Sequence, residues 1–242
     1  MILRRLATAF RKQDWFTVCV EILIVVLGVF IGLQVNNWNE ARSDRADARV
    51  ALERLEQDFE QILERTERGL SSQARYLAAA GRLINGVRNG QFDEETLLVD
   101  MSEVTAMAAP PGPSTVFTEL VSSGRLELIE SQPLRRSLTQ YHDFITFIRG
   151  RYAVFDGPLA EAKNTLMHAR TLAVTGVPSK EFGDVFRLEA VDREMLLGNA
   201  EMMAALQGAY GTQDNVHFIL SRNRTEIMDI LSQIRAERER MK

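Results

Sequence analysis

A long, mainly apolar run from Phe16 to Val35 constrains the fold of this chain more than any other feature. Glu21 is its only charged residue, and from Ile22 to Leu33 there is no polar side chain. A helix needs about 20 such residues to cross a bilayer. A core helix would carry polar residues at every turn, and a cleavable signal peptide would end in small residues rather than Gln34-Val35-Asn36-Asn37-Trp38. The run predicts one transmembrane helix over residues 16–35, with a cleaved signal peptide as the weaker alternative.

The flanking residues predict the orientation of this helix. Four basic residues (Arg4, Arg5, Arg11, Lys12) precede it against one acidic residue, whereas acidic and basic side chains balance in a segment of equal length after it. By the positive-inside rule, residues 1–15 form a cytoplasmic tail and the chain beyond the helix is exported. Trp15 and Trp38, the only two tryptophans, bracket the run, which predicts that they anchor it at the two lipid headgroup layers.

One face of the predicted transmembrane helix is small or polar. Glu21, Gly28, Gly32 and Asn36 follow one another at intervals of seven, four and four residues, so they share a helical stripe. Gly-x-x-x-Gly lets two helix backbones approach closely. An intramembrane carboxylate either faces a protein partner or lies shallow enough to reach the headgroups. The stripe predicts contact with a second copy or with another membrane protein.

A heptad-like seam follows the apolar run. Between Glu40 and Arg68 there is no Gly or Pro, and the seam has spacings of four, three, four and three: Ala48, Leu52, Leu55, Phe59 and Ile62. We expect the transmembrane helix to continue into a juxtamembrane helix over residues 36–69. The seam fits pairing with a second copy or packing on later helices of the same chain, and the spacing does not choose between them.

Two stretches resemble the DUF6090 family of uncharacterised bacterial membrane proteins. The first is residues 21–40, which ends in Gln-Val-Asn-Asn-Trp-Asn-Glu, and the second begins at Phe117 and extends through Tyr141. His142 stands where the family tends to have a second aromatic residue. The resemblance covers about the first 150 residues and implies a single-span anchor with a helical extramembrane domain. It implies no activity.

The rest of the chain, residues 70–242, reads as a helical domain without convincing alternating strands. We expect a break near Gly69 and Ser71, a loop at residues 110–113, a helix interrupted at Pro158 that reaches about Val174, a loop at Thr175–Ser179, and two final helices separated at Gly211. Ser114 or Thr115 is a candidate cap of the helix after the proline loop, and Ser131 is a candidate cap of the next one. The fold class is therefore all-α: a transmembrane helix, a long juxtamembrane helix and an antiparallel bundle.

Composition and motifs point away from catalysis. Beyond the apolar run there are 25 basic and 31 acidic residues, which disfavours nucleic acid as a partner. The only cysteine, Cys19, lies inside the run, and no histidine pair, phosphate loop or nucleophile motif occurs. We expect no catalytic residues, no metal and no cofactor. The protein is predicted to be a non-enzymatic interaction or accessory subunit of a bacterial inner membrane, with a periplasmic bundle. The alternative is a small-molecule sensor with a cavity near Tyr141, His142 and Asn164.

Overall fold

One helix, α1, runs unbroken from Trp15 to Asn89 in the computed structural model, which describes residues 15–174 and 186–241. Its 75 residues make it about 110 Å long at a rise of about 1.5 Å per residue. Its large apolar side chains from Ile22 to Val35 are exposed, and burial by the rest of the chain begins at Ala48. The tail before residue 15 and the predicted loop Thr175–Ser179 lie outside the described residues.

Five further α-helices and one pair of strands complete the described part of the chain. They are α2 (Leu97–Glu103), α3 (Thr115–Ser122), a 3-10 turn (Leu126–Leu128), α4 (Gln132–Met167), β1 (Arg170–Val174), β2 (Phe186–Val191), α5 (Arg193–Leu196) and α6 (Ala200–Arg240).

Short polar side chains cap α3, α4 and α6. Ser114 accepts a hydrogen bond from the Phe117 amide at 3.0 Å, which caps α3. Ser131 caps α4 in the same way, with Pro133 in the first turn, and Asn199 caps α6. Each cap supplies an acceptor to an amide that has no partner inside the helix.

The core lies along a bundle of α1, α4 and α6. At one end, Leu52 of α1 belongs to a cluster with Leu134 at the start of α4 and Ile234 near the end of α6. A second cluster at the other end joins Leu83 of α1 to later residues of α4 and early residues of α6. Helix α6 is therefore antiparallel to α1 and α4, whereas α1 and α4 run in the same direction.

The parallel arrangement of α1 and α4 depends on the segment between them. Residues 90–131 return along the outside of the bundle, through α2, the proline loop and α3. Asp58 of α1 accepts a hydrogen bond from the Ser114 hydroxyl at 2.7 Å, which places α3 beside the early part of the packed helix. The next helix then starts again at the end of the bundle nearer the apolar run.

The predicted all-α fold is confirmed, but three expected helix breaks do not occur. α1 continues through Gly69, and α6 continues through Gly211. A glycine costs a helix about 1 kcal/mol relative to alanine, which burial on both sides outweighs: Ala209 and Gln213, which flank Gly211, have 0% exposure. The expected interruption at Pro158 is also absent, since this exposed residue lies inside α4.

A two-stranded sheet is the local exception to the helical prediction. The expectation that a helix reaches Val174 was wrong, because α4 ends at Met167 and β1 pairs with β2 in antiparallel fashion. Leu172 faces Leu188 across the pair, with an irregularity between Thr171 and Leu172. Leu188 and Val191 pack on the core cluster at this end of the bundle. This tertiary contact stabilises strands that are too short to be recognised by alternation.

Candidate functional site

The apolar start of α1 is the largest exposed apolar surface among the described residues. Its large side chains between Ile22 and Val35 are 48–64% exposed, and none of the most apolar window is buried inside the protein. A core helix of a soluble protein would be covered by other elements. By length and composition this part of α1 could span a membrane.

Three of the four residues of the predicted membrane interface lie on an open face of α1. A Cβ atom built on Gly28 or Gly32 would meet no atom within 4 Å. Asn36 is exposed one turn further on, and the side chain of Glu21 lies outside the described residues. The described chain places nothing of its own against Gly28, Gly32 or Asn36, so a partner at this face stays a prediction.

A neck, defined as residues 36–47, joins the apolar run to the bundle. All of its residues are exposed, and Trp38 is 67% exposed. The side chain of Trp15, the other predicted anchor, is not described. From Val35 to Ala48, α1 rises by about 20 Å as a single helix. The neck therefore holds the bundle away from the end of the apolar run.

The seam residues of α1 are buried by the same chain. Ala48 is 3% exposed, and Leu52, Leu55, Phe59 and Ile62 are between 0 and 1% exposed. Residues from α3, α4 and α6 belong to the same cluster, and the Phe59 ring meets the Tyr141 ring at 5.2 Å between centroids. Of the two alternatives left open by the spacing, the structure shows packing within one chain.

Two buried glutamines hold the loop that precedes the prolines. The Gln73 side chain donates to the Gln213 carbonyl at 3.0 Å and accepts from the Ala108 amide at 3.1 Å. Gln213 in turn donates to the carbonyls of Val104 and Ala106. Both glutamines have 0% exposure. Neither glutamine stands out in the sequence, although continuing the seam beyond Ile62 by steps of four, three and four reaches position 73.

Two tyrosines of α4 bind the same loop. Tyr141 donates its hydroxyl hydrogen to the Gly112 carbonyl at 2.8 Å, and Tyr152 donates to the Ala108 carbonyl at 3.1 Å. Burial raises the pKa of Tyr141 above its usual range, and burial together with the nearby Asp156 raises the pKa of Tyr152 to about 12. Both hydroxyls therefore remain protonated donors at neutral pH.

Ion pairs connect α1 to its neighbours. Arg54 makes a two-point contact with Glu119 of α3, at 3.0 and 2.5 Å. Glu56 accepts hydrogen bonds from Arg235 and Arg238 of α6. Burial alone would raise the pKa of Glu56, but these two hydrogen bonds outweigh it and lower the pKa overall. These charges connect helices to one another.

The proposed sensor residues do not share a cavity. Tyr141 is buried, Asn164 is exposed, and His142 is half-buried with its ring 5.5 Å from the Phe117 ring. An open groove of about 390 Å³ beside Tyr141 is lined by neither His142 nor Asn164. Within residues 15–174 and 186–241, no group of three or more His, Cys, Asp or Glu side chains could hold a metal ion.

Fold and surface together define a helical-bundle protein with an exposed apolar N-terminal helix. The chain belongs to the DUF6090 family, a family of unknown function, whose model matches residues 21–168. The match covers the apolar run from Glu21 onward, the rest of α1, the returning segment at residues 90–131 and all of α4. No curated protein and no solved structure matches the chain significantly.

Proposed function

We propose that this protein is a non-enzymatic, single-pass membrane subunit that acts by binding other proteins. The observation that carries the proposal is the exposed apolar run, which continues without a break through the neck into a folded bundle. Lipid would cover the apolar side chains, and the face with Gly28 and Gly32 would contact a second copy or another membrane protein. The bundle would serve as the interaction module outside the membrane.

The orientation in the proposal is a cytoplasmic N-terminus and a periplasmic bundle in a bacterial inner membrane. It is supported by the basic residues Arg4, Arg5, Arg11 and Lys12 before the run and by the balanced charge of the equally long segment that follows it. Trp15 and Trp38 would lie in the two headgroup layers.

Binding is preferred over catalysis because the strongest polar contacts of the bundle have structural tasks. Gln73 and Gln213 bind loop carbonyls and an amide, Asp58 binds the start of α3, and Glu56 joins α1 to α6. These groups are therefore engaged with the fold itself.

Labelling of single cysteines tests the anchor and its orientation. Cys19 is first replaced by serine. A new cysteine is then introduced either as Ser232→Cys, at an exposed position of α6, or as Ala7→Cys in the tail. A membrane-impermeant maleimide applied to spheroplasts should label only the bundle variant, with the tail labelled after lysis. The reverse pattern would overturn the orientation, and recovery in the soluble fraction would overturn the anchor.

Partner binding is tested separately by mild-detergent extraction at native expression levels. The intact complex is sized, and every co-migrating subunit is identified. We expect a complex larger than one chain, containing either further copies or a second protein in fixed stoichiometry. A monomer that migrates alone would contradict the proposed interaction role.

A further inference from the structure

An open groove of about 560 Å³ lies between α1 and the loop that ends in the proline run. Arg65, Arg68, Ser72 and Tyr76 line one wall at spacings of three, four and four, which places them on one face of α1. The opposite wall is the segment 107–112, which includes Pro110 and Pro111. The glutamine and tyrosine contacts described above hold this second wall in place, so the groove is preformed.

The groove carries positive charge that the fold engages only in part. Arg65 has no ion pair or hydrogen bond with any residue that the structure describes, and its guanidinium lies 4.0 Å from where a side chain on Gly112 would begin. Arg68 makes a long, exposed ion pair with Glu64, at 3.9 Å, and both side chains are about 70% exposed. Like charges three residues apart on a helix repel each other. A bound carboxylate would relieve that repulsion.

The floor and walls suit more than a simple anion. Tyr76, Met107 and the prolines offer apolar surface to an extended chain. Thr66 and Leu220 also line the groove. A peptide supplies carboxylates and apolar groups together, whereas a small carboxylate supplies only the first.

We propose that this groove binds an extended acidic segment of a partner protein, with carboxylates against Arg65 and Arg68. The inference rests on the proposed interaction role and deepens it by stating the chemistry of the partner. Because acidic residues outnumber basic ones beyond the apolar run, the protein as a whole repels an acidic peptide. Binding would therefore have to come from a local site.

The test measures binding of a fluorescein-labelled octaglutamate peptide to the full chain in phosphatidylcholine nanodiscs by fluorescence anisotropy. We expect saturable binding that weakens with added salt. In the Arg65→Gln/Arg68→Gln double variant, the affinity should fall about tenfold or more. The matched control is Arg149→Gln, an exposed arginine in the interior of α4 outside the groove, which should bind like the unmodified protein.

Three results would overturn the inference. They are absence of binding, equal binding by the double variant, and displacement of the peptide by free citrate at the same carboxylate concentration, which would indicate a small-carboxylate site instead. Gly69→Ala gives a second check, since its methyl group would contact Ala108 and Leu220 at 3.9 Å without a clash, and the fold should be retained with binding largely preserved. The nanodisc samples are also sized. If the protein still associates with further copies or a second protein but does not bind the peptide, this inference alone is refuted and the proposed interaction role stands.

Discussion

At the scale of single residues, the bundle is defined by a few buried polar groups as much as by its apolar core. Gln73 and Gln213 come from helices that run in opposite directions and meet at a loop whose backbone groups would otherwise be buried without partners. An unpaired buried carbonyl or amide costs about 1–3 kcal/mol. The two side chains therefore make one loop conformation strongly preferred.

Replacement of Gln213 by methionine tests that role. The volume stays nearly constant, but the Val104 and Ala106 carbonyls lose their donor, so we expect the free energy of unfolding to fall by about 2 kcal/mol. Urea unfolding followed by circular dichroism measures the change. Gln207→Met, at an exposed position of the same helix, should change it by less than about 0.5 kcal/mol. Equal effects of the two variants would contradict the assigned role.

Tyr152 should make stability depend on alkaline pH. Its pKa is raised to about 12 in the folded protein from about 10 in an unfolded chain, so folding favours the protonated form. The contribution of protonated Tyr152 to the free energy of unfolding is fully present below about pH 10 and is lost as the pH rises to about 12. In Tyr152→Phe, unfolding free energies measured across this range should fall less steeply, with the remaining slope due in part to Tyr141. An unchanged slope would contradict the raised pKa.

At the scale of elements, α1 uses different faces along its length. At about 100° per residue, Gly28, Gly32 and Asn36 lie on the side of α1 roughly opposite to Leu52 and Leu55. The first face is open, and the second is buried by α4 and α6. A partner at the glycine face would therefore approach from the side away from the bundle and avoid a collision with it.

The double variant Gly28→Leu/Gly32→Leu tests the open face. Two large side chains would separate the backbones, so we expect crosslinked oligomers or partner complexes in membranes to decrease several-fold. The control is Val26→Leu/Phe30→Leu, which changes two residues at the same spacing on the other side of the helix. A crosslinking pattern that is unchanged by the glycine variant would refute this interface.

At the scale of the whole molecule, two bodies are joined by a single exposed helix. Among the described residues, none of the apolar window is buried by the bundle, and the neck, in which Arg42 and Arg45 are exposed, joins the two. At its end, Asp47 forms an ion pair with Arg125, which follows α3. Residues 36–46 have no side chain buried against the bundle, and a helix with few tertiary contacts opens locally at low free-energy cost. The neck is therefore the place where the chain should separate most easily.

Limited trypsin digestion of the protein in nanodiscs tests that expectation. Cleavage at Arg45 would release a soluble fragment beginning at Ala46, and this fragment would keep every buried seam residue from Ala48 onward. We expect it to retain its helical circular dichroism. The Arg42→Gln/Arg45→Gln variant should release the fragment more slowly. Preferential cleavage within the packed helices would show that the bundle is less stable than the neck.

The elements most accessible from sequence were those defined by long local patterns. The run from Ile22 to Leu33, the 3–4 spacing of the seam and the caps at Ser114 and Ser131 all depend on residues a few positions apart. The hairpin was missed because Leu188 and Val191 gain their burial from residues far away in the chain. The expected breaks at Gly69 and Gly211 failed because packing offsets the local cost of glycine.

The sequence by itself determined the apolar helix, the helical class of the bundle and the family of the chain, because each depends on periodicity or on a local motif. Tertiary structure alone decided that the seam packs within the chain, that α1 and α4 are parallel, and that Arg65 and Arg68 face a proline-lined groove. Those outcomes require contacts between residues tens to hundreds of positions apart. No local pattern encodes them, because the same apolar seam has the same spacing whether its partner is another helix of the chain or a second copy.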